Sequence, residues 1–408
     1  MRSTSCEFLA QGLLESCIAG NPPKRLPRAL VEQPCAQALF GILIEGLADR
    51  FEPALCDVYA RLFAQAIEAS SQGAGHDPAD LVARYERVRR PRLLAWEPKR
   101  VLVLSRVTLG ADVAVTSVLL AAAKQRLPQA DIVFVGPRKN FELFAGDARL
   151  SHAAVEYRRG SLRERLAVRD ELKRLAADPD CLVIDPDSRL TQLGLLPICP
   201  EDRYHLFESR GYGGAGSLNL PTLAAQWSRE TLGVSNAAPY VALSGEHVAL
   251  PPTPYIAVSL GVGENPGKRI PDPFEERLLG LLSARAPLFL DKGAGGEEAA
   301  RVERAVARCG ARATFWDGSF AGFAQVIAGS ALYVGYDSAG QHVAAACGVP
   351  LVSIFAGFPA PRMFHRWRPT GARATVIRVE QPLPVEILAQ VAHAIDYSAP
   401  KNFPWSGT

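Results

Sequence analysis

The chain has 408 residues, 48% of them hydrophobic and 21% charged, which suits a folded protein of two or three domains and excludes disorder on a large scale. Its 45 basic and 42 acidic residues leave a net charge of +3, too even for the concentrated basic face of a nucleic-acid binder, so no nucleic-acid partner is expected and any anion site must be local.

Residues 1–98 carry no strand signal. From Cys35 to Ala69, apolar residues recur at helical spacing (Leu39, Ile42, Leu43, Leu47, Phe51, Leu55, Val58, Tyr59, Leu62, Phe63, Ala66), and Asp80 to Arg89 predicts a further helix. Pro22, Pro23, Pro27 and Pro34 interrupt the first part, and Gly73 to Pro78 the second. The segment reads as a small all-helical module of its own. Its basic end, Arg84, Arg87, Arg89, Arg90 and Arg92, reads as a solvated helical face, with contact to a partner or an anionic membrane surface as the alternative.

From Lys99 the pattern changes to alternating strands and helices. Val101–Ser105 is an apolar strand, Val113–Arg126 a helix stopped by Pro128, Ile132–Val135 a strand, Leu162–Leu175 a charged helix and Leu182–Ile184 another strand. After a proline-rich joint (Pro251, Pro252, Pro254) the alternation restarts: strand Tyr255–Leu260, helix Phe274–Ala284, strand Leu288–Leu290, helix Glu297–Cys309, strand Ala311–Phe315. Repeated βα units imply parallel sheets. The fold class is α/β: the helical module is followed by two Rossmann-like domains, 99–250 and 251–396, facing across a cleft, then a tail, 397–408. The last helix, Pro384–Ala394, is expected to cross back to the first domain.

The cysteines, Cys6, Cys17, Cys35, Cys56, Cys181, Cys199, Cys309 and Cys347, form no Cys-x-x-Cys pair and no Cys/His cluster at zinc spacing, so they read as reduced, mostly buried thiols. No apolar run nears the ~18 residues of a membrane span, and a secretion signal is not evident. A cytoplasmic protein is expected.

The chemistry concentrates in Val334 to Gly357, where an apolar strand leads through the polar turn 335–340 into a small-residue helix and a second strand. The unpartnered N–H groups of a helix start favour an anion. Ser338, Ala339 and Gly340 would let a phosphate approach, Asp337 would cap the helix or hold a hydroxyl, and His342 would add a titratable donor. Simple capping by Asp337 and Ser338 is the alternative. In the second domain's first loop, Gly261 to Ile270, the cation Lys268 beside Gly263 and two further glycines suits a diphosphate. Glu297 either accepts ribose hydroxyls or complements its helix dipole. Asp185-Pro186-Asp187 and the nearby Arg189 are assigned to the acceptor side of the cleft. Glu208 to Gly216 reads as a mobile loop, and Arg362, His365, Arg366 and Arg368 as a basic cluster for an anionic acceptor or the nucleotide.

Asp337-Ser338, a small residue and Gly, His342 five positions after the Asp, then a small-residue helix ending Gly348-x-Pro350, together resemble the C-terminal signature of family 9 glycosyltransferases, the lipopolysaccharide heptosyltransferase group. The family has Gly directly after Asp-Ser, where this chain has Ala339. Ser105 to Asp112 is similar to the family's first loop, in which Leu-Gly-Asp follows the strand; here Ala111 intervenes between Gly110 and Asp112. Lys268 is matched likewise, with Ile270-Pro271 in place of Trp-Pro.

The resemblance, over roughly Lys99 to Ala394, implies a GT-B architecture and inverting transfer of a heptose or related sugar from a nucleotide-diphosphate sugar to a glycan, lipid-linked or protein acceptor. It implies Asp112 as general base, with helix capping by Asp112 as the alternative, and neither cofactor nor metal. It also implies work in the cytoplasm, at or near the inner membrane face. Two other classes stay open: a nucleotide-sugar 2-epimerase, and a non-catalytic nucleotide-sugar-binding or scaffold module. A nicotinamide dehydrogenase is disfavoured, since neither Leu109-Gly110 nor Gly261-x-Gly263 completes Gly-x-Gly-x-x-Gly.

Overall fold

The computed structural model describes residues 2–31, 35–70, 77–245, 248–251, 254–263, 265–293 and 295–398. Pro34, Gly73, Pro252 and the tail from residue 399 lie outside the described residues.

Two parallel sheets carry the fold. The first holds β1 (Arg100–Leu104), β2 (Asp131–Gly136), β3 (Leu150–Ala154), β4 (Cys181–Asp185) and β5 (Tyr204–Leu206) in the order β3-β2-β1-β4-β5. The second holds β6 (Ile256–Ser259), β7 (Leu288–Asp291), β8 (Ala313–Trp316), β9 (Leu332–Tyr336), β10 (Leu351–Phe355) and β11 (Ala374–Arg378) in the order β11-β10-β9-β6-β7-β8. The central strands are short apolar runs buried on both faces, as a parallel sheet between helices requires. Edge strands β3, β5 and β11 (LSHAA, YHL, ATVIR) are short or mixed in character and escape a reading based on apolar runs.

Each order is doubly wound, with its reversal between β1 and β4 in the first sheet and between β6 and β9 in the second. In such sheets the crevice outside the carboxyl ends of those strands receives the ligand. The loops after β1, β4, β6 and β9 are therefore the ones to inspect.

The helical region does not stand apart. Its helices Arg2–Ile18, Pro53–Ser70 and Pro78–Val88 pack so that Leu43, Leu47, Leu55 and Phe63 share one hydrophobic core with Leu102, Leu104, Val133 and Val183 of the first sheet. The basic end is a seam at Arg84 and a solvated face at Arg87, Arg90 and Arg92, which are exposed. Buried Arg84 donates Nη1 to the Gly194 carbonyl at 2.8 Å and lies 4.6 Å over the Tyr204 ring. Arg87 pairs with Glu201 at 2.7 Å, and Arg92 Nη2 donates to the Tyr204 carbonyl at 2.9 Å.

Two further expectations are corrected. Cys6 and Cys35 are joined in a disulfide, with Cα atoms 5.4 Å apart, while Cys17, Cys56, Cys181, Cys199, Cys309 and Cys347 are free. The 29-residue separation belongs to no motif; the fold alone brings the pair together. The last helix, Pro384–Ser398, stays with its own domain, burying Ile387, Val391, Ala394 and Ile395 against Ile256, Val258, Leu278 and Ile354. Its apolar stripe matches the outer face of the second sheet.

What crosses back is the basic cluster on the helix Pro361–Trp367. Arg366, 1% exposed, donates to the carbonyls of Leu218 at 3.1 Å, Tyr212 at 3.1 Å and Gly214 at 3.2 Å. Arg362 donates to the carbonyls of Phe51 at 2.7 Å and Gly214, and Arg368 to that of Ser217 at 3.3 Å. These guanidiniums are bound to backbone oxygens of the first domain and the helical region instead of facing an anion. Burial and the neighbouring arginines hold the His365 pKa below its ordinary value. Replacing Arg366 by Met removes three buried charge-assisted bonds, and urea denaturation should report a loss of about 3 kcal/mol. An unchanged denaturation midpoint would refute the clamp.

Candidate active site

The donor side is built at the end of β9. Lys268, on the short helical turn Pro266–Lys268, places Nζ 2.7 Å from Asp337 Oδ2 and 3.1 Å from the Asp337 carbonyl, closing a gap of 69 residues in the chain. Asn265 holds that turn, accepting from Gly267 N at 3.0 Å and donating to the Gly357 carbonyl at 3.2 Å. Gln341 donates to the other Asp337 oxygen and is itself oriented by Ser353, whose hydroxyl donates at 2.5 Å.

Asp337 is thus committed to Lys268 and Gln341, not to a cap. Ser338 is the N-cap of the helix Ala339–Ala346, and its side chain makes no capping bond. The first N–H groups of this helix meet no side-chain oxygen, the condition under which a helix start binds an anion. His342 is buried, and burial lowers its pKa to about 4 against the pull of Asp337, so it is a neutral group at ordinary pH. Gly340 serves packing, since a Cβ there would stand 2.2 Å from the Tyr333 hydroxyl.

The first domain meets this helix head-on. A Cβ on Gly110 would lie 3.1 Å from Ala339 Cα and 3.2 Å from His342 Cδ2, so the helix starts after β1 and β9 abut across the domain boundary. Beside that contact opens a cleft of about 290 Å³ lined by both domains and by Asp49 of the helical region. It gathers Gly110, Ala111, Arg106, Asp187, Arg189 and Arg210 opposite Lys268, Asp337, Ser338, Ala339 and His342, with Trp367 at one side.

Asp112 is not among them. It is 0% exposed, and its carboxylate accepts bonds from Ser105 Oγ at 2.6 Å, Arg106 N at 2.7 Å, Thr116 Oγ1 at 2.6 Å and Asn140 Nδ2 at 2.6 Å. Four donors occupy both oxygens, so the side chain holds the loop after β1 and cannot reach an acceptor hydroxyl. The cause is visible in the backbone. Asp112–Thr116 forms a π-turn, the form in which a helix absorbs one extra residue, and the cleft-facing position after Gly110 is taken by Ala111.

The acceptor-side assignments divide. Asp185 is buried behind the cleft, accepting from Ser188 N at 2.7 Å, Thr191 Oγ1 at 2.5 Å and Tyr204 Oη at 2.5 Å, with its pKa raised by burial to about 6. Arg189 does line the cleft, paired with Glu45 of the helical region at 2.8 Å. Asp187 accepts from Ser209 Oγ at 2.7 Å and from Arg210. Arg106 donates Nη1 to the Pro186 carbonyl at 2.6 Å and lies 5.7 Å from the Trp367 ring centre; burial pulls its pKa down to about 10. The segment read as a mobile loop is therefore fixed at its start, where Glu208, Ser209 and Arg210 are all buried.

Gly263 and Glu297 lie elsewhere, on a pocket of about 420 Å³ formed by the second domain alone, where the Glu297 side chain is 94% exposed and 3.8 Å from Arg304. Among the residues that sequence reasoning missed, Arg106 and Arg210 follow strand ends and were open to inspection; Asp49 and Trp367 gave no local signal. Among the described residues no group of three or more His, Cys, Asp or Glu side chains could hold a metal ion, and no helix is long and apolar enough to cross a membrane.

Residues 248–386 match the sequence profile of glycosyltransferase family 9 (heptosyltransferase). No curated protein matches the chain. Among solved structures, E. coli heptosyltransferase WaaC with ADP-2-deoxy-2-fluoro heptose superposes with a TM-score of 0.53 at 19% identity, covering 74% of this chain and 100% of that one. The family 9 glycosyl transferase of Veillonella parvula gives 0.52 at 14% identity, over 75% and 91% of the chains. E. coli ADP-heptose lps heptosyltransferase II gives 0.50 at 18%, over 73% and 99%. At such identities the solved structures speak for the fold.

Two Rossmann-like domains meeting at their switch points across a shared cleft form the GT-B architecture, the fold of the superposed structures. The likeness to family 9, the heptosyltransferase group, is carried by the profile matched in the second domain, over residues 248–386.

Asp112→Asn tests the cage. An amide cannot accept from all four donors, so stability should fall by roughly 2 to 4 kcal/mol in chemical denaturation. A variant of wild-type stability would show that the four bonds carry little.

Proposed function

We propose that the protein transfers a heptose or related sugar, with inversion, from a nucleotide-diphosphate sugar to a glycan, lipid-linked or protein acceptor. The observation that carries this reading is the pairing of Lys268 with Asp337 beside an uncapped helix start, inside the cleft where both domains' switch points meet. The neighbours bearing ADP and a fluorinated ADP-heptose support the choice of donor class.

In the proposed reaction the acceptor oxygen bonds to the anomeric carbon as the bond to the diphosphate oxygen breaks. The charge that grows on the diphosphate is met by the Lys268 ammonium and by the N–H groups at the start of Ala339–Ala346. Asp337 holds Lys268 until the anion arrives, and then shares it. His342, neutral, contributes polarity without charge. Positioning both substrates in one water-poor cleft supplies the rest of the rate. No metal or cofactor is invoked in this scheme, since the ammonium and the helix end take the cationic part. We place the enzyme in the cytoplasm, at or near the inner membrane face.

Lys268→Ala should raise the Kd for ADP roughly tenfold or more in calorimetry, given about 1.5 to 3 kcal/mol for a charge-assisted bond. Undiminished affinity would remove Lys268 from the diphosphate site. Donor binding without transfer to any acceptor would instead favour a binding module.

A further inference from the structure

Displacement of a diphosphate by a sugar hydroxyl leaves a proton that some group in the cleft must take. Asp112 is caged, and Asp185 lies behind the wall. Asp187 is 1% exposed, with Oδ2 held by Arg210 and Ser209 and Oδ1 buried out of solvent without a hydrogen-bond partner, and Asp337 belongs to Lys268 on the donor side. Asp49 differs from all of these. It lines the cleft, is half-buried, and senses Arg210, Arg189 and Arg106 through charge, with no hydrogen bond to its carboxylate among the described residues.

We propose that Asp49, delivered by the helical region, is the general base that accepts the proton of the attacking hydroxyl; the assignment rests on the glycosyl-transfer reading above. The acceptor O–C1 bond forms, the C1–O bond to the diphosphate breaks with its electron pair going to the phosphate oxygen, and the hydroxyl proton passes to Asp49. The residue is backed by a built turn. Asp49 ends the helix Glu45–Ala48, its N–H donating to the Glu45 carbonyl at 2.8 Å.

Two residues on, Phe51 adopts φ 56°, a left-handed conformation that costs an aromatic residue on the order of 1 kcal/mol or more. Its ring is fully buried with its centre 6.4 Å from that of Trp367, and its carbonyl takes the Arg362 bond at 2.7 Å. The strained turn is thus pinned to the second domain at the rim of the cleft. Ala111 lines the same cleft as Asp49, at the position where Leu109-Gly110 leads to an acid in the resembled family, and presents only a methyl there.

The charges around Asp49 suit the role. Glu45, Arg189, Arg210 and Arg106 surround it on its own side, with Asp187 neutralising Arg210 and Glu45 paired with Arg189; Lys268 and Asp337 face it across the cleft. Burial is the largest influence and raises its pKa from the usual carboxylate range. A raised pKa means that Asp49 gains a proton at a higher pH than a free aspartate, so on lowering the pH activity falls earlier than a free aspartate would make it.

The test uses the full chain with ADP-heptose as donor and water as the acceptor, following ADP release against pH, with calorimetry of ADP binding alongside. Asp49→Asn should release ADP roughly 100-fold more slowly or worse, bind ADP with an unchanged Kd, and lose the acid limb of the wild-type profile. Asp49→Glu should recover part of the rate. Asp49→Ser, small and polar, provides a second variant should the amide disturb folding. Wild-type rates in Asp49→Asn with intact ADP binding overturn the assignment, as does a wild type that binds ADP and releases none from ADP-heptose. A wild type that does not bind ADP brings down the donor reading itself, and this inference with it.

Discussion

Everything in the site depends on one close contact, that of Gly110 with Ala339 and His342. Two helices begin at the switch points of two separate sheets, and they abut because position 110 presents no side chain to the Ala339 backbone and the His342 ring. That contact fixes the distance between the domains and sets the uncapped helix start of one directly beside the loop after β1 of the other. A larger residue at position 110 would have to push into backbone at 3.1 Å, where nothing can rotate away.

Around that contact, charge is arranged in pairs before any ligand arrives. Lys268 has Asp337, Arg210 has Asp187, and Arg189 has Glu45. Buried charges without partners are too costly to retain, so the cleft keeps its cations in pairs, and on the proposed reading an incoming diphosphate would compete for them. Backbone strain gathers in the same place. Val107 follows β1 at φ 69° and Asp187 follows β4 at φ 67°, both unusual for residues other than glycine. The first sheet bends its own loops to aim Arg106 and Asp187, and the helical region adds a third such turn at Phe51.

The alternation of apolar runs and helical patterns made two doubly wound domains legible, because central parallel strands must be apolar on both faces. The same rule hid β3 and β11, whose exposed positions admit polar residues, and β5, whose three buried residues include a histidine and are too few to show as an apolar run. On the donor side, Lys268 and Asp337 each stand out in a local motif at a strand's end, but their pairing across 69 residues is visible only in the fold. The acceptor side was misread where the residue that matters comes from far away in the chain or where a one-residue difference turns a side chain. Asp112 has the right type and nearly the right spacing, yet the π-turn that absorbs Ala111 carries its carboxylate into the protein. Arg366 was correctly seen as a cation and wrongly given an anion, since carbonyl oxygens 148 to 154 residues away left no trace in its sequence.

The core between the two sheets has a consequence for motion. Val113, Val118 and Leu119 of the first domain belong to the same apolar cluster as Phe323, Ala324, Val343 and Ala344 of the second. Domains joined by a small polar interface swing freely, whereas halves that share a hydrophobic core cannot part without wetting it. Arg366 adds bonds that would also break. On the proposed reading, entry of the donor and exit of the spent nucleotide would fall to side chains and short turns at the rim while the two halves stay together.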